Sequence, residues 1–354
     1  MVDYIKNTQI SIENDDSWDV FKLDKGIVWI KGYIHNYSKD KLVTDALNQN
    51  INTINSWLFK LDGHFSIIVQ SKLFTYGSVD KIRSCPIIWS KNKSLILLTD
   101  KAEIIEKEFN LGPNDIEINH SRSFALSGYT SGSNTIYKNV SQINPGQFIW
   151  ISNKTYKIDT YHVWSPWKSS DKYSKITKLN IVNENIIKKL ILSVKGKQIV
   201  VPLSGGMDSR YVVSGLKKFN YENVICVSYG LKNNKEAIIA KNIAKDLGFK
   251  WIFIEYSSKI FKKAFYSEDY KRYVSFCDNL TSIHFAGEYI MLKSLKDNKN
   301  IKKDAVFVNG QSGDFISGNH IPDELILINS ELKNIDDIII AAYIQKHYKH
   351  WASL

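Results

Sequence analysis

The chain has 354 residues, 44% of them apolar and 23% charged, which excludes a disordered or fibrous protein and predicts ordinary globular domains. At roughly 100–200 residues per domain, this length predicts two domains rather than one small module. The formal net charge of +11 suggests nucleic acid, but only four of the 47 basic residues are arginine and the lysines are spread evenly, so we do not expect a nucleic-acid-binding face.

Cys85, Cys226 and Cys277 stand far apart, without a CxxC pair or a histidine at ligand spacing. This spacing predicts buried free thiols rather than a zinc site or a disulfide framework. The sequence contains neither a signal-peptide pattern at its start nor an apolar run of about 18 residues. We therefore expect a cytoplasmic protein without a membrane partner.

Short apolar runs separated by Gly, Asn, Asp and Lys turns fill residues 1–165, and they predict β-strands packed as stacked sheets. The runs cover residues 26–34, 65–70, 94–98 and 146–151. The best helix candidates in this part are residues 41–58 and 102–106. The aperiodic segment WSPWKSSDK, residues 164–172, predicts a linker to a second domain.

The spacing of apolar residues changes after the linker. Residues 176–194 carry apolar side chains at helical spacing, and Gly196 follows as a C-cap. Apolar strands then alternate with helices, which predicts βαβ units and a parallel sheet covered on both faces. The predicted strands are 198–203, 224–229, 251–256 and 305–309, and the predicted helices are 208–219, 235–247 and 284–295. Such sheets bind ligands at the carboxyl ends of their strands.

The segment VVPLSGGMDSR joins a predicted strand to a predicted helix. Gly205 and Gly206 allow consecutive N–H groups to turn toward an anion, to which the helix adds its positive end. Ser204 and Ser209 supply hydroxyls for phosphate oxygens, and Asp208 can hold Mg²⁺ against them. These residues predict a pyrophosphate site, although an ordinary tight turn that caps a helix is the alternative.

The string SGGMDS resembles the SGGxDS loop of the ATP-pyrophosphatase (PP-loop) superfamily, and specifically its asparagine synthetase branch. The segment from Tyr229 to Gly248 is similar, without gaps, to that branch's VGL…D…A…A…LG pattern. The resemblance implies that ATP binds with Mg²⁺. It also implies that Leu203 and Tyr229 flank the adenine, with Tyr229 standing where the family commonly has valine.

A second segment, VNGQSGDFISGNH, resembles the family's SGEGxDExFGGY loop. By this resemblance, Asp314 faces the pyrophosphate and shares the metal with Asp208, while Asn309 and Gly310 border the nucleotide.

Two residues of this second segment depart from the family pattern. Gln311 replaces the glutamate near the reaction centre, and Phe315 replaces the next acidic residue. Because glutamine cannot act as a general base, proton removal from attacking ammonia at Gln311 is expected to be impaired or handled by another group.

Residues 1–165 resemble the family's glutaminase domain in four segments, 32–36, 61–69, 80–87 and 135–146. In that domain a cysteine at position 2 is the nucleophile, assisted by its own α-amine. Val2 stands at this position, and Lys31 and Tyr33 replace the family's Asn and Glu. We therefore expect this domain to lack glutaminase activity and to be a structural remnant or a surface for another subunit.

The resemblance implies an α/β protein. Residues 173–354 are expected to form a parallel-sheet nucleotide-binding domain of the HUP or PP-loop type. An α+β N-terminal-nucleophile-like sandwich, the degenerate glutaminase-like domain 1–165, is expected to precede it. Leu354 comes before the region in which relatives carry lysines that neutralise phosphates, so the second domain is expected to be short at its carboxyl end.

Three functions follow from these residues. The first is an amide ligase that adenylates aspartate or another acid such as a sugar uronate, transfers ammonia to it and forms AMP and pyrophosphate. The second is a nucleotide-binding relative that is non-catalytic or depends on a protein partner or a homodimer. The third is tRNA modification, against which the scattered cysteines argue because sulfur-transferring members use paired cysteines.

Overall fold

The computed structural model describes residues 7–12, 17–152, 155–165, 172–277, 280–326 and 334–348, without the side chains of 172–176 and 315–316. Val2, Leu354 and most of the predicted linker lie outside these ranges. The chain forms two compact units. Among the described residues, the first unit holds those up to 165 together with 280–283, 347 and 348, and the second unit holds the others.

The described part of the first unit is rich in strands, as predicted. Its strands are β1 (Thr8–Ser11), β2 (Trp18–Leu23), β3 (Gly26–Ile34), β4 (Gly63–Ser71), β5 (Thr75–Val79), β6 (Ile88–Asn92), β7 (Leu95–Thr99), β8 (Val140–Gln142), β9 (Gln147–Ser152) and β10 (Thr155–Thr160). Its α-helices are α1 (Lys39–Leu47), α2 (Ile54–Lys60), α3 (Ala102–Phe109) and α4 (Ile118–Ser127).

These elements stack in layers. The strands form a six-stranded antiparallel sheet in the order β10-β9-β5-β4-β3-β2 and a four-stranded sheet in the order β1-β7-β6-β8. One apolar core, which includes Ile68, Ile96 and Ile149, lies between the two sheets. The helices α1 and α2 cover the outer face of the larger sheet, and α3 covers that of the smaller one. The predicted stacked sheets are thus confirmed.

The second unit alternates helices and strands. It contains α5 (Lys172–Val194), β11 (Ile199–Pro202), α6 (Met207–Lys218), β12 (Val224–Gly230), α7 (Lys235–Asp246), β13 (Lys250–Glu255), α8 (Ser258–Phe265), α9 (Glu268–Cys277), α10 (Ala286–Asp297), β14 (Val306–Phe307), α11 (Ser312–Ser317) and α12 (Ile335–His347). The strands pair in parallel in the order β13-β12-β11-β14, which confirms the predicted parallel sheet.

Both faces of this sheet are buried. Ile199 and Val201 point to a core that includes residues of α6 and α7, whereas Val200 points to the opposite core, with residues of α9 and α10. After β11 the chain passes through α6 and α7 on one face of the sheet. It then passes through α9 and α10 on the other face before it reaches β14. The strand order therefore reverses between β11 and β14, and the carboxyl ends of strands at such a point form a ligand-binding crevice.

The prediction of one continuous helix at 41–58 is wrong, because the structure has two helices, α1 and α2, separated by a turn. The Asn48 N–H bonds the carbonyl groups of Thr44 and Asp45, which ends α1. The Thr53 hydroxyl then accepts the Asn50 N–H at 3.1 Å. Polar side chains that bond nearby backbone groups compete with helix continuation.

The predicted burial of all three thiols is also wrong, since Cys85 and Cys277 are partly exposed and only Cys226 is buried. Cys85 lies in a connection between strands and Cys277 ends α9, whereas Cys226 lies inside β12. Burial raises the pKa of Cys226 to about 12. Among the described helices, none combines the length and apolar character needed to cross a bilayer.

The core of the second unit yields a stability prediction. Leu216 of α6 is fully buried, so Leu216→Ala should lower the free energy of unfolding by about 2–5 kcal/mol. Leu192 of α5 is 71% exposed, and Leu192→Ala should change it by no more than about 0.5 kcal/mol. Urea unfolding followed by circular dichroism measures both, and equal losses would contradict this packing.

Candidate functional site

The loop between β11 and α6 is held by hydrogen bonds between its own serines. The hydroxyl of Ser209 accepts the Ser204 N–H at 3.2 Å and lies 3.2 Å from the Ser204 hydroxyl. The Ser204 hydroxyl in turn accepts the Gly206 N–H at 3.1 Å. Ser209 is 6% exposed. The loop therefore folds back onto the first turn of α6.

The amino terminus of α6 opens onto this loop. Its N-cap residue is Gly206, which provides no side-chain cap, and Asp208 lies in its first turn. The first N–H groups of a helix carry a partial positive charge that favours anions. An anion at this end would meet those N–H groups and the serine hydroxyls, and a cation would be needed between the anion and Asp208.

The loop after β14 packs directly against α6. The Val308 N–H bonds the Val200 carbonyl group at 3.0 Å, which extends the pairing of β14 with β11. A Cβ atom on Gly310 would lie 2.6 Å from the Ser209 nitrogen, and one on Gly313 would lie 2.2 Å from Cγ of Asp208. A side chain at position 310 would collide with the backbone of α6, and one at position 313 would force the Asp208 carboxylate to move. The two loops predicted from the sequence therefore meet in space.

Asp314 and Gln311 lie in this second loop with different surroundings. Asp314, in the first turn of α11, is partly exposed and accepts the Asn319 side-chain amide at 3.1 Å. Gln311 is exposed, and its N–H donates to the side-chain oxygen of Asn309 at 3.3 Å. Gln311, where the resembled family has a glutamate near the reaction centre, thus carries a neutral amide beside Asn309.

The donor set fits Mg²⁺ bound together with phosphates. The Asp208 carboxylate faces Gly313, the residue before Asp314. Within the described ranges, no group of three or more His, Cys, Asp or Glu side chains is arranged to hold a metal. Mg²⁺ commonly takes one or two carboxylates and completes its shell with water and substrate phosphates. Two aspartates suffice for such a site.

A pocket of about 200 Å³ opens beside the first loop at the carboxyl ends of β11 and β12. It brings together the predicted residues Leu203, Ser204 and Tyr229. Its other lining residues were not predicted: Pro202, Val227, Ser228, Asn234, Glu236 and Ala237. Asn234 could have been found from its position before α7, because it caps that helix by accepting the Glu236 N–H at 2.9 Å.

The floor of the pocket is rigid. The Ser228 hydroxyl donates to the Leu203 carbonyl group at 2.7 Å and accepts the indole N–H of Trp251 at 2.9 Å. Tyr229 is half-buried and stacks on Tyr256, with ring centroids 5.2 Å apart. Burial raises the pKa of the Tyr229 hydroxyl, so the ring faces the pocket as a neutral group. A planar apolar ligand has a fixed aromatic surface here.

Lys31 and Tyr33 of the first unit contact other side chains of that unit. The Lys31 amine lies 3.5 Å from the Asp100 carboxylate and 5.6 Å from the ring centre of Trp18. Tyr33 packs edge-on against His35, with ring centroids 5.1 Å apart. Among the causes acting on Cys85, burial is the largest and raises its pKa. A thiolate at Cys85 is therefore disfavoured near neutral pH.

Residues 193–338 match the family model described as asparagine synthase. The match contains both loops, the pocket and the parallel sheet, and it supports an ATP-using amide ligase family for the second unit. It covers less than half of the chain, so the family of the first unit stays a prediction. A search of curated proteins found no match.

Several solved structures are similar to parts of the chain. An NH3-dependent NAD synthetase from Campylobacter jejuni, in complex with nitrate, shares 19% identity over 42% of this chain and 61% of its own, with a TM-score of 0.29. A predicted tRNA methyltransferase subunit from Methanocaldococcus jannaschii shares 20% identity over 43% of this chain and 65% of its own, with a TM-score of 0.21. The chain thus spans less than two thirds of either.

A third structure is glutamine phosphoribosylpyrophosphate amidotransferase from B. subtilis, complexed with ADP and GMP. It shares 10% identity over 69% of this chain and 52% of its own, with a TM-score of 0.23. TM-scores this low carry no conclusion about fold or activity. The assignment of the second unit therefore depends on the family match and on the geometry of the two loops.

The contact between the loops can be tested with glycine substitutions. Gly313→Ala should displace the Asp208 carboxylate, because the new Cβ atom would lie 2.2 Å from its Cγ. We expect Mg²⁺-dependent ATP binding to weaken by about tenfold or more, measured by isothermal titration calorimetry, while the melting temperature changes little. Gly112→Ala, where no atom lies within 4 Å of the new Cβ, is the control. Equal affinities in the two variants would exclude the contact.

Proposed function

We propose that the protein is an ATP-dependent amide ligase of the asparagine synthetase type without glutaminase activity of its own. A carboxylate attacks the α-phosphorus of ATP and pyrophosphate leaves. Ammonia or another amine then attacks the acyl carbon, AMP leaves, and the nitrogen loses a proton. Aspartate or another acid, such as a sugar uronate, is the acceptor.

The observation that carries this proposal is the meeting of the two loops at the reversal point of the sheet. Asp208 and Ser209 contact Gly313 and Gly310, and the pocket with Tyr229 opens from the same edge. A site for a leaving pyrophosphate needs N–H donors, hydroxyls and a metal held by carboxylates. The N–H donors, hydroxyls and carboxylates among these groups come from the two loops and the first turn of α6.

The proposed roles follow from the positions. The α6 amino terminus, with Ser204 and Ser209, binds the pyrophosphate part of ATP, and Leu203 and Tyr229 border the adenine. Asp208 and Asp314 would hold Mg²⁺, which would supply positive charge that stabilises the leaving pyrophosphate. Asn309 and Gly310 border the nucleotide from the second loop.

We propose that the first unit does not hydrolyse glutamine. Lys31 and Tyr33 stand where the glutaminase domain that this unit resembles has Asn and Glu, and Lys31 is engaged by Asp100. Free ammonia, or ammonia delivered by a partner protein, is therefore the proposed nitrogen source. Val2→Cys is not expected to restore glutamine hydrolysis.

The metal site is tested with Asp208→Asn. The variant should lower Mg²⁺·ATP-dependent pyrophosphate release by about a hundredfold or more, since charge stabilisation of the leaving group is lost. Asp304→Asn, at an exposed position before β14, is the matched control and should keep full activity. A coupled pyrophosphate assay over a panel of carboxylates, with ammonium or glutamine, measures both.

The same assay distinguishes the ligase from a binding protein. Release that requires one acid, with ammonium but not glutamine supporting amide formation, identifies the acceptor. ATP binding without release for any acid would overturn the proposed activity and favour a nucleotide-binding relative. The exposed neutral side chain of Gln311 is the observation that favours this second candidate.

The role of Gln311 has its own test. Gln311→Glu supplies a carboxylate that can accept a proton, so amide formation near neutral pH should rise by about tenfold or more. Pyrophosphate release in the first half-reaction should change less. Gln345→Glu, on the exposed face of α12, adds the same charge elsewhere and should have no effect. No difference between the variants would exclude a proton-accepting role at position 311.

A further inference from the structure

The first turn of α6 carries an arginine that folds back onto the loop before the helix. Arg210 is the fourth residue of α6, and its Nη2 donates to the Gly205 carbonyl group at 3.0 Å. Side chains on a helix lean toward its amino terminus, and Arg210 follows the N-cap residue Gly206 by four residues. The guanidinium therefore lies beside the loop between β11 and α6.

Helix stability does not explain a cation at this position. The amino-terminal end of the helix dipole favours anions, so a positive charge in the first turn is unfavourable for the helix itself. The opposite end of α6 has the favourable arrangement, with Lys217 and Lys218 in the last turn. The competing structural explanation is that Arg210 orders the loop through its hydrogen bond to the Gly205 carbonyl group.

The charge of Arg210 is not offset by an acidic side chain. Within the part of the chain that the structure describes, its guanidinium forms no ion pair with an Asp or Glu. A guanidinium has several N–H donors, and the Gly205 carbonyl group accepts from only one of its nitrogens. Arg210 is exposed, as is Met207 three residues earlier on the same face of α6. The remaining donors are therefore available to a ligand.

The two segments that form the candidate site are otherwise acidic. Residues 203–210 and 308–320 contain Asp208 and Asp314, and Arg210 is their only Arg or Lys. The charges of a polyphosphate and two aspartates together exceed the charge of one Mg²⁺, so a further cation would stabilise the bound state. Arginine is suited to this task, because its planar fork of N–H groups matches the oxygens of a phosphate.

We propose that Arg210 binds the pyrophosphate part of ATP through the guanidinium N–H groups that the Gly205 carbonyl group leaves free. The unfavourable position of this cation at the start of α6 is then offset by the bound anion. This inference deepens the proposed function and rests on it, because it adds a phosphate-binding residue to the same site.

Calorimetry tests the inference without turnover. The ligands are pyrophosphate with Mg²⁺, an ATP analogue that resists cleavage between its α- and β-phosphates, and AMP, which lacks the pyrophosphate part. Arg210→Gln should weaken the first two by about tenfold to a hundredfold and leave AMP unchanged, since a charge-assisted hydrogen bond is lost. Arg210→Lys should keep part of the affinity, because it keeps the charge. Arg272→Gln, at an exposed position of α9, is the control and should bind all three like the wild type.

The melting temperature without ligand separates phosphate binding from loop ordering. If Arg210 binds phosphate, Arg210→Gln should melt at the same or a higher temperature, because an unfavourable charge leaves the first turn. A lower melting temperature together with equal losses of AMP and pyrophosphate affinity would assign Arg210 to loop ordering and overturn the inference. Equal pyrophosphate affinities in the wild type and Arg210→Gln would also overturn it.

The same measurements keep this inference apart from the proposed ligase. If Arg210→Gln loses pyrophosphate affinity but the wild type releases no pyrophosphate with any acid, the ligase is overturned and the role of Arg210 stands. If the wild type binds neither pyrophosphate nor the ATP analogue, both are overturned. The wild-type affinity for pyrophosphate should also fall more steeply with added salt than that of Arg210→Gln, because salt screens the guanidinium charge.

Discussion

The close approach of the loop after β14 to the start of α6 is the constraint on which the candidate site depends. Side chains at positions 310 and 313 would collide with the Ser209 nitrogen and the Asp208 carboxylate. With glycine at both positions, the second loop contacts the backbone of α6 at Gly310 and the Asp208 side chain at Gly313, so two loops far apart in sequence share one surface. Without that approach, Asp208 and Asp314 would belong to separate loops and could not share one Mg²⁺ beside a phosphate chain.

The sheet makes this approach possible. Because β14 pairs with β11 on the side opposite β12, the chain after β14 emerges next to the chain after β11. The pairing is short, only Ile199 with Val306 and Val200 with Phe307, and the Val308 N–H extends it by one bond. The large apolar cores on both faces of the sheet stabilise the second unit. The loops at the carboxyl ends of β11 and β14 can therefore be rich in glycine and contribute little to packing.

Local patterns in the sequence predicted the parallel sheet and the first loop, because strand periodicity and the SGGMDS string are each contained in a short stretch of chain. The pocket wall was missed because Ser228, Asn234 and Glu236 come from three different positions around β12 and α7, and only the fold brings them to Leu203. Helices α8 and α9 were missed as well. Both are amphipathic, but they have only 8 and 10 residues, and their apolar side chains belong to the core that they share with α10.

Binding and chemistry are separable at this site. The groups proposed to bind phosphate are backbone N–H groups, two serines and Arg210, and two aspartates are proposed to hold Mg²⁺ beside them; all of these groups belong to the two loops and the start of α6. Gln311 is one of the two residues of the second loop that depart from the family pattern, and a base at this position would act only on a proton that leaves after the nitrogen attacks. Replacing a carboxylate by an amide there also removes negative charge next to a polyphosphate, which favours nucleotide binding. A chain of this kind can therefore keep its affinity for ATP whatever the rate of amide formation.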